Sequence, residues 1–223
     1  MDCRRPAPRR PRGFTLVELL VAISVMALLA VLSWRGLDGM ARAQTQTQKR
    51  ADELLTLQAG LAQWAADLDA MVQLPQAGPL DWDGRGLRMT RRANVGGVET
   101  LVVVAWASRS IDGNLHWLRW QSPPLGHRAE LQEAWAQAAQ WAQNPGEQER
   151  RREVVIVPLA QWQVFYFRGN AWTNPLSSDG STSAAQSAAP DGVRLVLTLP
   201  AGQALAGTLT RDWVRPTVGG GKS

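Results

Sequence analysis

Few side chains in this chain are placed to do chemistry, and the most conspicuous is a carboxylate inside an apolar run. Glu18 sits in GFTLVEL, which continues as LVAISVMALLAVLSW without another charge. A charge in a segment built for hydrocarbon is costly unless it stays at the interface or meets a cation. Three readings follow: Glu18 is hydrated near a helix end, it is an irregularity of a signal peptide, or it awaits a positive partner within the membrane. The other candidates are weaker. His116 in NLHWLRW and His127 in GHRAEL lack the spacing of metal ligands or of a nucleophile and its base, so both read as ordinary core or surface residues. Asp81-Trp82-Asp83-Gly84 begins like a calcium loop, but the later acidic ligands are missing, and a turn is the better reading. Arg150-Arg151-Arg152 in GEQERRRE reads as a solvated turn. No HExxH, P-loop or Gly-x-Ser-x-Gly pattern occurs. The expectation is a chain without catalytic residues, metal or cofactor.

Composition narrows the partners. The pI near 10.5 suggests nucleic acid, yet Arg4, Arg5, Arg9, Arg10 and Arg12 all precede Gly13 beside one acid, Asp2. The remainder is nearly balanced, and the loose cluster Arg85, Arg88, Arg91 and Arg92 has no interleaved aromatics, so nucleic acid is not expected. Cys3 is the only cysteine and lies ahead of the apolar run. A chain that has lost its leader would hold no thiol for a disulfide, a nucleophile or a zinc site. The 11 tryptophans are spread from Trp34 to Trp213, which favours a role as large core residues, with some, Trp135 and Trp141 among them, as candidates for a partner interface.

Residues 14–34 would form a helix of about 31 Å, the thickness of a bilayer's hydrocarbon core. The arginines before them favour a cytoplasmic N-terminus and an exported remainder. Ala41-Arg42-Ala43 is a weak site for an ordinary signal peptidase, which would leave Gln44 first. Beyond a polar stretch, Leu54, Leu57, Leu61, Trp64, Leu68 and Met71 recur at three- and four-residue steps, one apolar face of a continuing helix that Gln73-Leu74-Pro75 and Gly78-Pro79 should end. Short apolar runs then predict strands at 86–92, 100–107, 115–121, 153–157, 161–168, 193–199 and 207–214. VVVAWA and WQVFYF read as buried on both faces or central. A helix is expected over 128–144, closed by Pro145-Gly146, and a serine- and alanine-rich loop over 174–191. GGGKS is an expected tail.

The run Arg12-Gly13-Phe14-Thr15-Leu16-Val17-Glu18, with a basic leader before it and an apolar stretch behind it, resembles the class III signal of type IV prepilins and pseudopilins. The resemblance implies cleavage between Gly13 and Phe14 by a prepilin peptidase and N-methylation of Phe14. It makes Glu18 the fifth mature residue, where it would pair with a neighbouring subunit's N-terminal amine. Head size, VLSWRGLDGMARAQ and the blocks LVVVAW, WQVFYFRGNAW and VRLVLTLP are similar to the J-type minor pseudopilin of type II secretion.

That resemblance implies an α+β, pilin-like fold with a long N-terminal helix packed on a head of antiparallel sheets. Its parts would be a leader at 1–13, a transmembrane helix at 14–34, its extramembrane continuation at 35–74, a periplasmic head at 75–215 and a tail at 216–223. It also implies a single-pass inner-membrane subunit near the pseudopilus tip. The partners would be the I-, K- and H-type minor pseudopilins, the major pseudopilin, the peptidase and the inner-membrane secretion platform. A minor pilin of a type IV pilus would carry the same leader. A periplasmic enzyme or binding domain on an uncut signal anchor would instead show no cleavage at Gly13 and would tolerate Glu18→Ala.

Overall fold

A computed structural model describes residues 13–74, 78–176 and 189–216. The arginine leader with Cys3, most of the 174–191 loop and the GGGKS tail lie outside them. Helix α1 spans Leu16–Asp69. Two compact units divide the chain, Met1–Lys49 and Arg50–Ser223.

In the first unit, the apolar side chains of α1 are bare. Leu16, Val21, Leu28 and Trp34 are all more than half exposed. An 18-residue window of α1 has mean hydropathy 2.6, which by length and composition suffices to cross a membrane.

The second unit takes in the last turns of α1, and here the expected apolar face is covered. Leu57, Trp64 and Leu68 are buried, and Leu54, Leu61 and Met71 are half-buried. The helix stops earlier than the sequence suggests, because its next residues exchange helical bonds for sheet bonds. Val72 N–H donates to the Thr90 carbonyl at 2.9 Å, and the Ala70 carbonyl accepts from Arg92 N–H at 2.9 Å. Breaker residues are therefore not what ends it.

Among the described residues nine strands follow: β1 (Leu80–Trp82), β2 (Gly86–Val95), β3 (Val98–Ile111), β4 (Asn114–Gln121), β5 (Glu153–Pro158), β6 (Gln161–Arg168), β7 (Ala171–Thr173), β8 (Gly192–Leu199) and β9 (Gly207–Val214). All seven expected strands form, and β1 and β7 are short additions. The first five make an antiparallel sheet in the order β1-β2-β3-β4-β5, and the rest an antiparallel sheet β7-β6-β8-β9. Strands β2 and β3 run longer than expected because a Gly96-Gly97 turn joins them. Both residues have positive φ, 61° and 86°, which a tight two-residue hairpin turn demands.

Helix α2 (Arg128–Gln143) and the single turn α3 (Glu147–Arg150) connect β4 to β5. Glu130 closes the start of α2 by accepting from the backbone N–H of Gly126 at 2.7 Å and of His127 at 3.1 Å. Those bonds, Gly126's first, hold its carboxyl below the usual range.

Alternation along β3 builds two apolar layers. Val102, Val104 and Trp106 face α1 and the second sheet, while Val103, Ala105 and Ala107 face Ala134, Ala138 and Trp141 of α2. VVVAWA is thus buried on both faces, as its composition implies. WQVFYF is interior in its sheet but buries one face only: Trp162, Val164 and Tyr166 are in the core, while Gln161 and Gln163 are exposed. Tryptophan does serve mainly as core. Trp64, Trp106, Trp117, Trp120 and Trp141 have at most 1% exposure, Trp135 is half-buried, and Trp34 is exposed. Where α1 crosses β4 and β5 only glycine fits: a Cβ on Gly60 would stand 2.5 Å from Ile156 Cγ2.

Candidate functional site

Two groups of residues on α1 carry the chemistry, one in each unit. At the N-terminal end, Gly13, Phe14 and Thr15 precede the helix, and Phe14 is 87% exposed. The Gly13–Phe14 peptide bond is therefore reachable and outside the helical hydrogen-bond ladder. A Cβ at Gly13 would meet nothing within 4 Å, and its backbone is not in the left-handed region. The fold therefore sets no steric or backbone requirement for glycine at this position.

Glu18 is not alone. Its Oε2 accepts from the Thr15 backbone N–H at 3.0 Å and from the Thr15 hydroxyl at 2.9 Å, while Glu18 N–H donates to Thr15 Oγ1 at 3.3 Å. Thr15 and Glu18 thus form a capping box, the Thr-x-x-Glu pairing that satisfies free donors at a helix start. Reading Glu18 only as a membrane charge misses this, although the four-residue pattern TLVE spells it out. Both Thr15 bonds fall on Oε2, and Oε1 has no partner among the described residues. A carboxylate has acceptor sites on both oxygens, so the box leaves one oxygen open for an ammonium group.

In the second unit, Asp67 lies on the buried face of α1 with no exposed surface. Five donors converge on it. Arg119 grips both oxygens, Nε to Oδ2 at 2.7 Å and Nη2 to Oδ1 at 2.9 Å. Trp106 Nε1 donates to Oδ2 at 2.9 Å, Gln63 Nε2 to Oδ1 at 2.8 Å, and Arg91 Nη1 also donates to Oδ1. The donors come from β2, β3, β4 and the helix itself, so one carboxylate fastens α1 to three strands of the first sheet. Two residues on, Asp69 Oδ1 accepts from Trp213 Nε1 of β9 at 2.7 Å, tying the same helical turn to the second sheet.

Three of the four arginines of the basic cluster are paired with acids. Arg91 pairs with Asp67, Arg88 with Asp81 and Asp83, and Arg92 with Glu99. Asp83 meanwhile accepts from the backbone N–H groups of Arg85 and Gly86, so the second half of Asp81-Trp82-Asp83-Gly84 is a turn. An open cleft of about 430 Å³ lies among Arg85, Ser108, Arg109, Leu115 and Trp162. Neither histidine lines it. His116 meets the Asn114 carbonyl at 2.9 Å, and His127 begins α2.

The fold is that of a pilin-like protein: a long N-terminal helix packed on an antiparallel β head. Residues 8–34 match the prokaryotic N-terminal methylation motif. The chain is also similar to type II secretion system protein J of Klebsiella pneumoniae, with 38% identity over 64 residues. That match covers 29% of this chain and 32% of the relative, so it spans about a third of that protein's length. Motif and relative together support the resemblance to a J-type pseudopilin. With the apolar start of α1, they fit a single-pass inner-membrane anchor.

Proposed function

We propose that this chain is a minor pseudopilin of a type II secretion system, acting at the pseudopilus tip to start assembly and aid export of folded proteins. A prepilin peptidase cuts between Gly13 and Phe14 and methylates Phe14. Residues 14–34 hold the chain in the inner membrane with the N-terminus cytoplasmic and the head periplasmic. The open oxygen of Glu18 receives the N-terminal amine of the neighbouring subunit. The I-, K- and H-type minor pseudopilins, the major pseudopilin and the inner-membrane platform are its partners. The observation that carries this reading is the methylation motif over residues 8–34, ending in an exposed apolar helix. Similarity to protein J favours the secretion system over a type IV pilus, where the same leader would serve.

A glycine that the fold does not need makes a clean test. Gly13→Leu should leave the head folded while the uncut precursor accumulates in inner membranes, read as the ratio of precursor to cut form by mass. Normal cutting of Gly13→Leu would count against the proposal.

A further inference from the structure

The first sheet ends on β5, and its two apolar layers end there unfinished. Leu118 pairs in register with Val155, on the face where α2 packs, and Arg119 pairs with Val154, on the face where α1 packs. Yet Val154 is 58% and Val155 45% exposed. A register shift opposite Trp117 and Leu118 makes room for Ile156, which turns onto Gly60 of α1. Among the described residues, β5 has a strand partner on one side only.

Long apolar edges are normally shortened, covered or charged, because their free N–H and C=O groups recruit other strands. Here the charge lies just ahead of the edge rather than along it. Arg150, Arg151 and Arg152 are exposed, and none has a side-chain ion pair among the described residues. They outnumber the neighbouring Glu147 and Glu149. Glu153, the one acid in the strand, is already spent on Arg109 and Trp141 inside the fold.

We infer that the free edge of β5 is a docking site for an extended, acidic strand of a partner protein, which adds to the first sheet beside Val154 and Val155 and meets Arg150, Arg151 and Arg152 with its carboxylates. Main-chain bonds hold such a strand, and the flanking side chains select it. A second copy of this chain is a poor occupant. Its own β5 is apolar and led by the same three arginines, so self-pairing brings no acid to them. That the strand belongs to a neighbouring subunit rests on the proposed function, whereas the strand-pairing chemistry does not.

The test uses the full chain in detergent and a labelled peptide of alternating valine and glutamate, about seven residues long, the length of an ordinary strand. Binding should weaken with salt and fall about tenfold or more in Arg150→Glu/Arg151→Glu/Arg152→Glu. It should vanish when alternate peptide nitrogens are methylated or lysine replaces glutamate. Failure of the acidic peptide to bind overturns the inference. Equal binding of the N-methylated peptide also overturns it, because the contact would then be charge adsorption alone. Self-association that rises in the charge-reversed variant overturns it too, because the arginines would then be guards that keep strands away. A correctly processed chain that ignores the peptide sinks only this inference; an unprocessed chain that binds it sinks only the filament reading.

Discussion

Asp67→Ala should cost the second unit about 3–5 kcal/mol, the usual penalty for breaking a buried ion pair and stranding its partner. Arg119 and Arg91 would lose their carboxylate while remaining mostly buried, with side-chain exposures of 13% and 18%. The Trp106 and Gln63 donors would also be left unpaired. Set against a total stability of about 5–15 kcal/mol, this loss brings the head close to unfolding. Denaturation of the full chain in detergent, followed by tryptophan fluorescence, checks it directly, because Trp64 and Trp106 pack edge to face near the cluster with ring centroids 5.3 Å apart. A loss below about 1 kcal/mol would mean that the cluster is no more than a surface ion pair in effect. The apolar triple variant Asp67→Leu/Arg91→Met/Arg119→Met separates two roles. If the ions serve only stability, packed apolar residues should restore both stability and filament incorporation. If they also fix the rotation of α1 beneath the sheet, stability returns while incorporation stays low.

Glu18→Ala should act at the other end of α1 and leave the head untouched. The capping box disappears, since Oε2 is the acceptor for both Thr15 donors. Under the proposed function, the neighbouring subunit's amine would lose its receptor as well. Cutting at Gly13 should continue, while incorporation into filaments drops about tenfold or more, because a lone ammonium within the membrane is left without a counter-charge. Glu18→Gln tells the two functions apart. Its amide oxygen can still accept from Thr15 but carries no charge, so it should keep the helix start and still fail in assembly. Wild-type incorporation of Glu18→Gln would make the local cap, rather than subunit pairing, the role of this residue.

Elements set by local pattern were legible in the sequence. The apolar face of α1, α2 and seven strands follow from periodicity and turn residues, and the spread of the tryptophans along the chain favours the core. What was missed depends on register between distant segments. Asp67 stands beside Trp64 and Leu68 on an apolar face, a signal that something must neutralise it. Naming Arg119 and Arg91 as its partners required knowing which strands lie under the helix, across separations of 52 and 24 residues. The early end of α1 has the same origin, since Met71 bridges to Arg91 of β2. At Glu18 the signal is local: the Thr-x-x-Glu box is written in four consecutive residues, and its carboxylate serves the free N–H groups of the helix start as well as carrying a charge in an apolar run.

Cutting and methylation as a pseudopilin should be visible in the N-terminal residue and intact mass of the protein isolated from inner membranes. A chain that begins with N-methylated Phe14 is expected. A start at Gln44, or an intact Met1, would contradict it and leave Glu18 with its helix cap alone.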